Sequence, residues 1–332
     1  MGSAAPAGTL AAMVHLRVVA PREQAEQAYE LLKENPLACH LVYLKDVVDA
    51  PKGDMLLVDV PREEASVIVG DLRNLRIPET GSISVEPIDV QLSELADKAE
   101  RDAPGAPADA VVWEEVEART SEESRLSVTY IAFMVLAALI AGVAIIQDSA
   151  VLLVGAMVVG PEFGPIAAFC VAVVERRRPF ALRSLLALLV GFPVAITAVC
   201  LMIVVFKATG VVPGSFSEAD HDLADTISNP DFLAFFVAFC AGMAGMLSLG
   251  AAKSGALIGV LVSVTTIPAA ANIGIAFVYG DWESWRGSLA QLALNVFAIL
   301  LAGILTLWIQ RLYFRRRRID HLREETSVSR DE

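Results

Sequence analysis

Apolar residues fall in two different rhythms along this chain. Up to about residue 91 they come in short alternating or helical runs, and from residue 126 they come in long blocks. In the first region HLRVVA, His15–Ala20, alternates and is β-branched, which predicts a strand. Pro21 then opens PREQAEQAYELLKENP, with Ala25, Ala28, Leu31 and Leu32 on one helical face and Pro36 as its stop. CHLVYLKDVV and DMLLVDV read as two strands joined by the turn-like DAPKG. Pro61 starts a second helix, REEASVIVGDLRNLRIP, which Pro78 closes, and SISVEPIDV is the last strand. The order β-α-β-β-α-β predicts an α+β ferredoxin-like domain over 13–91. Residues 1–12, rich in Ala, Gly and Pro, read as a disordered lead. Residues 92–125 read as an acidic connector, with APGAPADA extended and WEEVEARTSEESR helical.

The long blocks match the apolar length that crosses a bilayer, about 20 residues. Six spans are predicted within a membrane domain at 126–310: Leu126–Ile146, Ser149–Val174, Phe180–Phe206, Asp231–Leu249, Ser254–Tyr279 and Ser288–Trp308. Only Gln147 and Asp148 separate the first two, which predicts a tight hairpin, and Pro193 allows the third to tilt or kink. Arg176, Arg177 and Arg178, Lys253, Arg311 and Arg315–Arg318 fall on loops and a tail (311–332) that share one side. The excess of Lys and Arg there predicts the cytoplasmic side, with both termini and the soluble domain inside a bacterial cytoplasmic membrane.

Composition agrees: 55% of residues are hydrophobic and the mean hydropathy is +0.56, too apolar for an ordinary soluble domain. The net charge of -13 is uneven. Residues 1–125 carry 12 Lys and Arg against 24 Asp and Glu, and the rest carry 14 against 15. An acidic soluble part argues against nucleic acid as a partner, because phosphates would be repelled. The apolar run at Leu126 begins too far in for a cleaved signal peptide. Cys39, Cys170, Cys200 and Cys240 have no CxxC spacing and read as small core residues. His15 and His40, on predicted strands, read as structural, and Glu218, Asp220, His221, Asp222 and Asp225 as a solvated acidic loop. No metal or cofactor is expected, and no nucleophile–base set for an enzyme can be assembled.

One stretch breaks the pattern. GAMVVGPEFGPIAAF, Gly155–Phe169, places Glu162 inside a span, between Gly160 and Pro161 on one side and Gly164 and Pro165 on the other. Each proline removes a backbone N–H, which leaves the Met157 and Pro161 carbonyls without helical partners. Unsatisfied groups of this kind cost several kcal/mol each in lipid, and an ionised acid near the midplane costs roughly 3 kcal/mol more. Shifted by one hundred residues, Gly142 overlays Gly242 and Gly155-Ala156 overlays Gly255-Ala256, which pairs spans one to three with spans four to six. Two three-span units imply an inverted repeat, with Thr265, Thr266 and the break at Pro268 at the depth of Glu162. Asn272 and Asn295 are further candidates for the same cavity. The alternative is a structural latch, or an ion pair between Glu162 and Arg183. Gly160 and Gly164, like Gly255 and Gly259, allow close helix approach in either case.

The stretch RTSEESRLSVTYIAFMVLAALIAGVAIIQDSAVLLVGAMVVGPEFGPI, Arg119–Ile166, resembles the signature region of a bacterial membrane protein family catalogued as domain of unknown function three-eight-nine. The resemblance runs to about Trp308 and implies an integral membrane protein with a Pro/Gly-rich second span, in many members preceded by a soluble domain. It implies no settled activity and transfers no catalytic or ligand residue. The expected function is a transporter or channel for a small solute or cation, assembled as a homo-oligomer in the lipid bilayer. A ligand-sensing or assembling role falls to the soluble domain. The rival is a non-transporting sensor or scaffold that the spans merely anchor.

Overall fold

The computed structural model describes residues 13–88, 90–103, 112–113, 116, 120, 125–213, 221–250 and 266–331. The chain divides into two compact units, one built on the N-terminal residues and one on the apolar helices.

In the N-terminal unit β1 (Met13–Ala20), α1 (Arg22–Glu34), β2 (Cys39–Asp49), β3 (Lys52–Pro61), α2 (Arg62–Asn74), α3 (Ile77–Thr80) and β4 (Ser82–Ile88) follow one another. The sheet order is β2-β3-β1-β4, and every neighbouring pair is antiparallel. Each helical crossover therefore skips one strand, as the predicted ferredoxin-like order requires. Alternation decides the faces. Val14, Leu16, Val18, Leu56, Val58 and Val60 point to one side, where Ala25, Ala28 and Leu32 of α1 and Ile68, Val69 and Leu72 of α2 close the core. The first residues of the segment read as a connector form a further helix, α4 (Glu94–Asp102), whose N-terminus is capped by the Ser93 side chain. Ala96 and Ala99 of α4 pack with Met13, Cys39 and Ile88. The rest of the predicted connector lies largely outside the described residues.

The buried Asp54 of this unit is satisfied by donors. Asp54 accepts from the Tyr43 hydroxyl at 2.7 Å and from the Asp46 N–H at 2.8 Å. Burial pushes its carboxyl up, but those two hydrogen bonds and the nearby Arg22 and Lys45 charges outweigh burial and hold it below the usual carboxylate range.

The second unit is helical: α5 (Val128–Ile146), α6 (Ala150–Val159), α7 (Phe163–Val174), α8 (Arg178–Thr209), α9 (Asp222–Ser228), α10 (Phe232–Gly250), α11 (Thr266–Tyr279) and α12 (Trp282–Asp331). Four of these helices, α5, α8, α10 and α12, are long and apolar enough to cross a membrane, and α6 with α7 forms a fifth crossing if the bent pair is one span. The protein is thus of multi-pass membrane type. Of the predicted span Ser254–Tyr279 only α11 is described, and Lys253, Gly255, Gly259 and Thr265 lie outside the described residues. α5 packs against α6, α8 and α11, while α7 and α11 also pack on α8. Outward-facing Val151, Leu182, Leu201, Phe232, Phe236 and Phe297 leave an apolar surface suited to acyl chains. α8 runs unbroken through Pro193, and Thr197 Oγ1 donates to the Pro193 carbonyl at 2.7 Å.

Asp54→Asn turns one of the two acceptor oxygens into a donor that faces a donor, and is expected to cost about 1–3 kcal/mol, read as lost hydrogen-exchange protection in β2 and β3. The depressed Asp54 contributes stability above the unfolded Asp pKa of about 4, lost as pH falls through its folded value. Acid melting of the wild-type N-terminal unit should therefore be steeper than that of the variant.

Candidate functional site

The break in the second predicted span is local and has an identifiable cause. Ser149 caps α6 through its side chain, and the helix ends where the Gly160 N–H reaches the Ala156 carbonyl at 3.2 Å. Pro161 has no N–H to offer the Met157 carbonyl, so the ladder stops there. Glu162 then leads into α7, with the Ile166 N–H on its carbonyl at 3.3 Å, and the two helices meet at 49°. Gly164 and Pro165 stand in the first turn of α7, where N–H groups have no intrahelical acceptor, so they begin a helix without breaking one. The described part of α11 runs through Pro268 without a break, and the residues before Thr266 lie outside the described residues.

Glu162 is 3% exposed. Its Oε1 accepts a hydrogen bond from Thr266 Oγ1 at 2.7 Å, and its Oε2 has no hydrogen-bond partner among the described residues. The acid sits at the positive N-terminal end of α7, where the helix dipole favours negative charge. Gly160 makes room for it: a Cβ there would collide with Oε2 and approach Ile267 to 2.9 Å. Met157 is buried beside the break, and Pro161 is half-buried. Arg183, the alternative partner, is exposed near the start of α8.

The structure brings Glu162 and Thr266 together but places Asn272 elsewhere. Six residues along α11 from Thr266, about 9 Å along the axis, Asn272 Nδ2 donates to Ser288 Oγ at 2.9 Å and Ser284 Oγ at 3.2 Å. Ser284 Oγ in turn lies 3.3 Å from Ser228 Oγ. Asn272 is fully buried, and its Oδ1 has no partner among the described residues. The three serines escaped the sequence reading because Ser228 and Ser284 fall in polar stretches outside the predicted spans and Ser288 opens the sixth. Their only signal was the four-residue spacing of Ser284 and Ser288, which puts them on one helix face. Asn295 accepts from Gln291 at 3.3 Å on α12, apart from both groups.

In the N-terminal unit the register sets His15 opposite Asp59 and Cys39 opposite Asp59. Asp59 Oδ1 lies 2.6 Å from His15 Nδ1, and Oδ2 lies 2.9 Å from His40 Nδ1. Gln91 Nε2 donates to Oδ2 at 2.7 Å. Burial pushes the Asp59 carboxyl up, but the bonds from His15, His40 and Gln91 outweigh it and hold it low. The two histidines are thus tied into the sheet by a shared acid. Among the described residues no group of three or more His, Cys, Asp or Glu is placed to hold a metal ion.

Residues 157–301 match the family model described as "Domain of unknown function (DUF389)", which bears out the family resemblance of the membrane part. The match opens at Met157, beside the break, and ends at Leu301 on α12. An uncharacterized protein of Methanocaldococcus jannaschii is 24% identical over 202 residues, 58% of this chain and 58% of the relative. The match thus covers less than two thirds of that relative's length. No solved structure matches.

Thr266→Val should strand Glu162 Oε1 and cost about 1–3 kcal/mol of thermal stability in detergent. Thr266→Ser and Glu162→Gln, which keep the donor and the acceptor respectively, should melt close to wild type. Equal melting of Thr266→Val and Thr266→Ser would show that the bond carries no weight.

Proposed function

We propose that the membrane unit is a transporter or channel for a small solute or cation, with its site at the break around Glu162. The observation that carries this reading is the carboxylate oxygen Oε2, enclosed by protein and without a donor among the described residues, beside a proline-broken helix. Such an oxygen is costly when empty and is satisfied by a proton, a cation or a donor group on a solute. The Met157 carbonyl, which Pro161 leaves without its usual partner, supplies a second acceptor at the same break.

Helix packing supports the inverted repeat that this reading includes. A Cβ on Gly142 would meet Val199 and Met202, and one on Gly242 would meet Ile299 and Ala302. All three positions shift by one hundred. The sulfur contacts exchange partners in the same way: Cys200 Sγ reaches the Gly274 carbonyl at 3.5 Å, and Cys170 Sγ reaches the Leu300 carbonyl at 3.7 Å. Third predicted span on fifth and sixth on second is what a two-fold relation between two three-span units produces. Six crossings, with both termini and the N-terminal unit in the cytoplasm, complete the arrangement. The N-terminal unit, in this reading, senses a small ligand or joins copies into a homo-oligomer.

A second reading has its own support. The Thr266 bond and the near-complete burial of Glu162 suit a latch between α7 and α11, in a membrane part that only anchors the N-terminal unit. Reconstitution into sealed vesicles separates the two. Transport predicts flux of protons, alkali cations or small polar solutes that drops at least tenfold in Glu162→Gln, while melting in detergent stays close to wild type. No flux above empty vesicles in wild type would leave the latch.

A further inference from the structure

At one end of the membrane unit, beside the turn that carries three arginines, lies a cavity of about 220 Å³. It is lined by Val173 and Val174 from the last turn of α7, Arg176 from the turn that follows, and Ile304, Trp308 and Arg311 from α12. Its two cations are held differently. Arg311 Nη1 donates to the Val174 carbonyl at the C-terminal end of α7 and pairs with Glu175 at 3.1 Å. That guanidinium is fixed, and its remaining N–H groups are available at little further ordering cost. Arg176 stands just past the end of α7 with φ +60°, and its side chain is exposed. Glu175 offsets one of the two charges, so the cavity keeps an excess of positive charge.

The other wall is apolar. Val173 and Trp308 are exposed on the outer surface of the helices, where acyl chains lie. Trp and Arg at the end of a span mark the headgroup level of a bilayer. A site for a free inorganic anion has no use for such a wall, whereas a phosphodiester that carries its own hydrocarbon does. A basic pocket between helices at headgroup depth fits an anionic lipid in charge and in shape. A choline headgroup would instead bring a second cation next to Arg176.

We propose that this cavity binds an anionic phospholipid, with the phosphate between Arg176 and Arg311 and the glycerol and first acyl carbons along Val173, Ile304 and Trp308. Arg311 is then a fixed donor, and Arg176 closes on the headgroup from the turn.

The test uses the full chain, delipidated in detergent, with thermal melting and native mass spectrometry against phosphatidylglycerol, phosphatidylcholine of the same acyl chains, and inorganic phosphate. Phosphatidylglycerol is expected to raise the melting temperature more than phosphatidylcholine, and phosphate alone to do nothing. Arg176→Asn, which suits the left-handed backbone, should weaken phosphatidylglycerol binding about fivefold, the weight of one basic residue at an anionic surface. Its melting in phosphatidylcholine should match wild type. Arg178→Gln, outside the cavity lining, should keep the preference. The proposal is overturned if Arg176→Asn binds phosphatidylglycerol as wild type does, if Arg178→Gln loses as much, or if phosphate reproduces the effect.

Discussion

An acid set among apolar helices must find its donors within the protein, because hydrocarbon offers none. In this chain that demand falls on Glu162, and much of the surrounding architecture answers it. Pro161 ends α6 one residue before the acid, and Gly160 leaves space for the carboxylate. The bend between α6 and α7 turns the acid toward α11, where Thr266 donates to one of its two oxygens. Take away any one of these and the carboxylate is either crowded or left with both oxygens unpaired. The remaining oxygen, without a donor among the described residues, is what the proposed site rests on. An unpaired acceptor is expensive in such a place.

The rest of the membrane unit is ordinary helix packing at close range, with small residues where backbones approach. What stands out is the pairing at a fixed offset: Gly142 and Gly242 meet residues one hundred apart in turn, and the Cys170 and Cys200 contacts swap spans. In the proposed inverted repeat the second and fifth predicted spans, which contribute Glu162 and Thr266, lie around a shared axis. The Asn272 cluster lies further along the same α11, so that helix lines two enclosed polar spots separated by under two turns. The arginine-lined cavity, the proposed lipid site, is formed by other residues, from the end of α7 and from α12.

How much of this was legible in the residues alone follows from the range of the interactions. Strand alternation and proline-bounded helices are local signals, so the β-α-β-β-α-β order could be read directly, down to Pro21 and Pro61 as helix starts. The break at Pro161 was equally local. Pro165 misled, because a proline in a helix interior and one in a first turn look alike without knowing where the helix begins. Thr266 was placed beside Glu162 through the hundred-residue offset, a long-range signal that happened to survive. The sharing of Asp59 by His15 and His40 and the meeting of Asn272 with its serines depend on register and packing between distant segments. The helix at Glu94–Asp102 carried a local signal, the Ser93 cap with acids in the first turn, that the sequence reading passed over.

The central claim is that the space beside Glu162 is reached by hydrated solutes. It is tested most directly by Thr266→Cys in a variant whose four native cysteines are replaced, embedded in lipid vesicles and exposed to a small charged thiol reagent. The account predicts modification of that cysteine by the charged reagent, slowed by a permeant solute or cation that competes for the site. A cysteine inert to charged reagents from both sides, yet reactive toward an uncharged membrane-permeant one, would contradict it and leave Glu162 a fastening between helices.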